Sequence, residues 1–242
     1  MSALGHYLEE EGIATVAISL IRPQSENTKP PRALWVPFEL GRPFGPPSDP
    51  LFQRRVVLAA LRLLECASGP TIIEDFAEDD PRAKSDPGWH PPQLPAASGD
   101  GSVEALAARL EAEIPLLQGA HDRWFVGHGR TAIGLSALSM AECGGYVADW
   151  LRGKAPPSPR DGFSAPLMLR FAVDDVKAYY LEAGAGAAKP SSRQLGDWFW
   201  NESAAGAAIH ALRTACLASE DERLKLIAGN FMVPAVRVRS PN

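Results

Sequence analysis

Between Pro81 and Gly101 the chain runs through proline, glycine, serine and alanine with little that could pack, and this stretch separates two differently patterned parts. Ahead of it stand short runs of branched apolar residues between turn signals. Behind it apolar residues recur at helical spacing. The pattern predicts an α/β fold class: a small, mainly parallel sheet in residues 1–80, a connection over 81–101 that serves as a boundary or mobile lid, and a mostly helical region over 102–242.

In the front part, Ala3–Glu11 reads as a helix closed by Gly12, a residue suited to the left-handed conformation at a helix end. Ile13–Leu20 reads as a strand packed on both faces and ended by Arg22-Pro23. Arg32–Val36 reads as a second strand, followed by a stiff loop from Pro37 through Pro47. Asp49-Pro50 has the form of an N-cap with proline in the first turn, opening a helix over 51–66 in which Val57, Leu58, Leu61 and Leu64 hold apolar spacing until Gly69-Pro70. Thr71–Ile73 is a third strand. It runs into Glu74, Asp75, Glu78, Asp79 and Asp80, where α/β proteins place functional carboxylates and where a solvated loop entrance has the same composition.

In the back part, helices are expected over Val103–Ile114, stopped by Pro115, over Ser139–Leu151 with a capping box through Glu142, and over Leu167–Ala183. Further helices are expected over Ser192–Ala218, kinked near Gly206, and over Asp221–Ala228. Val233–Val238 reads as an edge strand. No repeat of 20 to 50 residues is present.

Composition narrows the function classes. A net charge of -5 without a basic run leaves out the phosphate-neutralising footprint of nucleic-acid binders. The first residues hold no basic n-region and apolar stretch of a signal peptide, and no run is long enough to span a bilayer. Cys66, Cys143 and Cys216 stand far apart, without disulfide or zinc-knuckle spacing, which suits a reducing, cytoplasmic setting. His6, His90, His121, His128 and His210 suggest no metal set. Three short strands make a meagre sheet, and self-association is one way to cover it.

Several constellations carry chemistry as one of two readings. Gly127-His128-Gly129-Arg130-Thr131 allows close backbone approach with a forked donor for an anion, and it also reads as an ordinary turn. Asp197-Trp198-Phe199-Trp200-Asn201-Glu202 spreads three aromatics around a helix, so that they cannot all face one core and one of them is free to line a pocket. Asp174-Asp175 and Tyr179-Tyr180 read as a solvated face. Cys143 precedes Gly144-Gly145 near a helix start, where a dipole stabilises a thiolate, but each cysteine also reads as a small buried hydrophobe.

The stretch Glu9–Leu64 resembles the B subunits of the glycine, sarcosine, betaine and D-proline reductases. It shows a helix, Glu11-Gly-Ile-Ala-Thr-Val16 entering a strand, the turn Pro37-Phe-Glu-Leu-Gly-Arg-Pro43, Asp49-Pro50, and a helix that begins with Arg54-Arg55. The resemblance implies an oxidoreductase-like protein acting on a small amino-acid-like or amine substrate. The alternative that it implies is a non-catalytic subunit or binding module serving a redox partner. That family's selenocysteine and cysteine motif precedes the first helix and has no counterpart here, and the histidine of its Pro-His-Pro turn is replaced by Phe38. Glu39 and Arg42 in that turn, with His128, Arg130 and Trp198, are the expected substrate-binding residues. No catalytic residue and no cofactor is assigned.

Overall fold

The computed structural model describes residues 2–66, 71–96, 101–186 and 190–238. The chain divides into two compact units, Met1–Lys84 and Ser85–Asn242. Among the described residues no helix is long and apolar enough to cross a membrane.

The N-terminal unit is a β-α-β-α-β arrangement preceded by a helix. Helix α1 (Ser2–Glu10) leads to β1 (Ala17–Ser19), α2 (Arg22–Thr28), β2 (Arg32–Trp35), α3 (Pro50–Arg62) and β3 (Ile72–Asp75). The strands are all parallel in the order β1-β2-β3, with Ala17 opposite Ala33 and Ala33 opposite Ile73. Gly12 closes the first helix at φ +81°, as its position predicts. The first strand is shorter than the apolar run. The Glu9 carboxylate accepts hydrogen bonds from the Thr15 amide (2.8 Å) and hydroxyl (3.0 Å) and holds the approach to β1 outside the ladder.

Helix α2 occupies the place where Arg22-Pro23 signals only a strand end. Pro23 sits in its first turn, where the missing amide hydrogen costs nothing. Asp49 caps α3 by accepting from the Phe52 amide at 2.9 Å. The buried face of α3 is Phe52, Val56 and Ala60, continued by Leu63. It lies one position away from the expected stripe, leaving Val57 and Leu61 exposed. The shift comes from Phe52, whose ring meets Phe38 at 5.5 Å and Phe76 at 6.0 Å. Gly45, at φ +83°, passes so close to Phe52 that a Cβ would overlap the ring. The helix stop expected at Gly69-Pro70 lies outside the described residues.

The C-terminal unit is helical: α4 (Val103–His128), α5 (Met140–Leu151), α6 (Ala165–Ala185), α7 (Ser192–Glu202), α8 (Ala204–Leu217) and α9 (Glu222–Ile227). Serines cap five of them through their hydroxyls, and the Ser139–Glu142 box forms as expected. Pro115 does not end α4. Ala107, Leu110, Ile114, Leu117 and Ala120 form one buried stripe across it, and packing against α5 and α6 outweighs the lost backbone bond. The segment 192–218 is two helices, broken at Ser203, which ends α7 and caps α8. The edge strand expected at Val233–Val238 does not form: a π turn (Ala228–Met232) precedes this stretch and a 3-10 turn (Ala235–Arg237) lies within it. Among its described residues this unit has no sheet to extend, and Val236 is exposed.

Candidate functional site

In the N-terminal unit the carboxyl ends of parallel strands are the usual place for a ligand, and there the elements bring arginines to the acidic run after β3. Arg22 pairs with Asp75 and, at 2.9 Å, with Glu26. Arg55 meets Glu78 with two bonds, at 3.0 and 2.8 Å. The expected pair Glu39 and Arg42 does come together, at 3.7 Å, and Arg42 also lies 3.9 Å from the buried Asp80. Asp75, Glu78 and Asp80 of this rim therefore face arginines of the same unit, and both Glu39 and Arg42 are more than two-fifths exposed.

In the C-terminal unit, His121, Gly127 and His128 belong to α4 rather than to a loop. Gly129 ends the helix at φ +66°, its amide donating to the Phe125 carbonyl at 2.8 Å. His128 stacks on Trp124 at 4.4 Å and donates from Nδ1 to the Trp124 carbonyl at 2.8 Å. Arg130 is exposed beside it.

The loop that follows is organised by two acids of α6, Asp175 and Glu182. Asp175, fully buried, accepts from the amides of Gly134, Leu135 and Ser136 at 2.9 to 3.0 Å and from the Ser136 hydroxyl at 2.5 Å. Glu182 accepts from His121 Nε2 (2.9 Å), the Thr131 hydroxyl (2.7 Å) and the Ala132 amide (2.7 Å). Asp175 and the tyrosines after it are thus not a solvated face. Tyr179 donates to the Ile114 carbonyl at 2.9 Å and Tyr180 to Glu113 at 3.1 Å, all within the core. One signal was available: Asp175 keeps helical step with buried Ala172, Val176 and Tyr179.

The three aromatics of α7 are all buried, because α6 packs on one side and α8 folds back on the other. Trp198 in addition lines a cleft of 590 Å³, together with His90, Leu94, Arg109, Asn201 and Glu202. One wall is the start of the proline-rich connection. Its backbone at Asp86 exchanges two hydrogen bonds with the Gln194 amide, at 2.7 and 2.8 Å, and Trp89 donates to the Gly184 carbonyl at 3.1 Å. Residues 97–100 of that connection lie outside the described residues.

Arg109 in the cleft lining donates from Nε to Glu113 at 3.2 Å and from Nη2 to the Glu202 carbonyl at 3.0 Å. Two of its five N–H groups are thereby used. Glu113 is fully buried. Burial pushes its carboxyl above the usual range, against the Ala204 amide at 2.8 Å, Arg109 and Tyr180, which all favour the anion. The Glu202 side chain is exposed, so the cleft presents a held cation and an accessible carboxylate. Of the five expected site residues only Trp198 lines it.

The cysteines are all free. Burial pushes the Cys143 thiol up to about 11, although the Ser136 hydroxyl lies 3.1 Å away, and burial alone does the same for Cys216. Cys66 is half-buried at the end of a 3-10 turn. Cys143 lies one turn inside α5 and is fully buried, so the helix start does not expose it as a nucleophile. Among the described residues no group of three His, Cys, Asp or Glu side chains could hold a metal ion. No protein-family model, curated protein or solved structure matches this chain.

Proposed function

We propose that the chain is a non-catalytic binding module of a redox complex, of the kind that the likeness to the reductase B subunits implies, and that its cleft receives a small amino-acid-like or amine ligand. The observation that carries the reading is that Arg109, which donates to the Glu202 backbone carbonyl, and the exposed Glu202 both line one 590 Å³ cleft beside Trp198. A guanidinium suits a carboxylate, a carboxylate suits an ammonium, and an indole supplies an apolar wall for what lies between. The volume falls within the range of ordinary small-molecule sites.

The thiols support a module over an enzyme that uses its own sulfur. With a pKa of about 11, Cys143 and Cys216 are thiolates in roughly one molecule in ten thousand at neutral pH. A catalytic reading would have to fall on Cys66. Alkylation by iodoacetamide near neutral pH, followed by peptide mass mapping, separates the two. The module predicts Cys143 and Cys216 unmodified in the native protein and Cys66 reacting no faster than free glutathione. Any cysteine reacting at least about tenfold faster than glutathione would return the chain to the thiol enzymes.

A further inference from the structure

The guanidinium in the cleft lining is shared with a carboxylate that has no contact with solvent. Arg109 turns the Nε–Nη2 edge of its fork to the Glu113 carboxylate and the Glu202 carbonyl. Its Nη1 donates to no described residue and is not buried, and the side chain as a whole is 17% exposed. The Nη1–Nη2 edge is therefore what a ligand carboxylate in the cleft can grip with two parallel bonds.

Glu113 stands on the other edge of that guanidinium. Three helices face it: Arg109 one turn earlier on α4, the Tyr180 hydroxyl of α6 at 3.1 Å, and the Ala204 amide at the start of α8 at 2.8 Å. Burial first and the Glu113 charge second hold the Tyr180 phenol protonated. Arg109 is thus the one cation facing Glu113 among the described residues.

A ligand carboxylate on Arg109 brings a second anion to a group that carries a single positive charge. Two carboxylates at one site do not both ionise freely, and the one without access to water is the one that gives way. That is Glu113, which burial already drives toward its neutral form. The ligand ammonium does not cancel the effect, because it is directed to Glu202, whose side chain is exposed and screened by water.

We infer that the cleft takes up its ligand together with a proton: a ligand carboxylate on Arg109 draws one proton from solvent onto Glu113, so binding strengthens in mildly acid conditions and weakens as pH rises. The inference rests on the zwitterion reading of the cleft and adds its regulation. Glu113 touches no ligand and acts through Arg109. By linkage, protonation of Glu113 raises ligand affinity by the same factor as the ligand raises the affinity of Glu113 for its proton.

The test is isothermal titration calorimetry of the full chain with glycine, sarcosine, betaine and proline, in buffers of equal pH and different ionisation enthalpy. The heat should depend on the buffer and correspond to uptake of up to one proton per ligand. Affinity should fall about three- to tenfold between about pH 5.5 and pH 8. Glu113→Gln puts a neutral side chain behind Arg109. It should flatten the pH profile and, at the alkaline end, bind more tightly than the wild type, which a loss of structure would not produce. His90 lines the same cleft, and histidine is the other side chain that commonly takes up protons in this range. His90→Gln should leave the buffer dependence in place, whatever it does to the affinity itself. The buffer comparison needs only the wild type and His90→Gln, so it decides the matter even where Glu113→Gln does not fold. Saturable binding with a heat independent of buffer would overturn the inference and leave the cleft reading standing. Proton uptake that survives Glu113→Gln, or that vanishes in His90→Gln, would overturn it as well. No saturable binding of any of the four would overturn the cleft reading and this inference with it.

Discussion

Glu113 shows what one buried side chain commits this protein to. It stands at full burial between Arg109, Tyr180 and the Ala204 amide, so it ties the start of α8 to α4 and anchors the guanidinium that lines the cleft. Its carboxyl is raised by burial. A carboxyl whose folded value is raised lends stability that is complete below the ordinary value of 4.5 and is lost as pH rises through the folded value. Thermal unfolding followed from mildly acidic to neutral pH should therefore show the wild type losing ground to Glu113→Gln as pH increases. Parallel curves for the two proteins would mean that Glu113 ionises in the fold without penalty. The same residue illustrates how little of the site is visible in a sequence. A glutamate one step before the apolar Ile114 looks like any solvated helix position, and its partners Tyr180 and Ala204 lie 67 and 91 residues away.

At the scale of elements, the corner between α7 and α8 decides where the cleft residues Asn201 and Glu202 end up. Ser203 donates to the Phe199 carbonyl at 2.7 Å and accepts from the Gly206 amide at 3.0 Å, so one hydroxyl ends one helix and starts the next. Gly206 lies against the Phe199 carbonyl with no space for a Cβ. Because the obstacle is backbone, Gly206→Ala should cost about 1–3 kcal/mol in urea unfolding, as overpacking in a core does. A variant as stable as the wild type would show that the corner tolerates a shift. Element by element, the caps were legible: Asp49, Ser139 with Glu142, and Gly12 are local chemistry, and each acts where its position says. Pro115, Gly206 and the run Val233–Val238 were misleading for one shared reason. Each was read by local rules, while the outcome was set by what packs beside it: the stripe on α4, the backbone of α7, and the lack of a strand to pair with among the described residues of the helical unit.

For the whole molecule, the sequence contrast between a short-strand front and a helical back corresponds to the parallel three-stranded sheet and the helical unit that the structure shows. The sheet was legible because branched apolar runs between turn signals have few other outcomes. The cleft was legible only at Trp198. Arg109 and the Glu202 backbone it holds are 93 residues apart, and the wall from His90 to Ala96 belongs to a segment whose composition describes a linker. Proline-rich chain packed on a helical surface gives no periodic signal, so its role depends on anchors such as Trp89 and Asp86 that become evident only in three dimensions. The proposed module recognises a zwitterion in this cleft through opposite charges. Isothermal titration calorimetry of the full chain with glycine, sarcosine, betaine and proline tests it most directly, run in parallel on Glu202→Gln, a change at an exposed side chain. Saturable binding of at least one of them, weakened about three- to tenfold in the variant, is the predicted result. No saturable heat with any of the four, or affinity unchanged by Glu202→Gln, would contradict it.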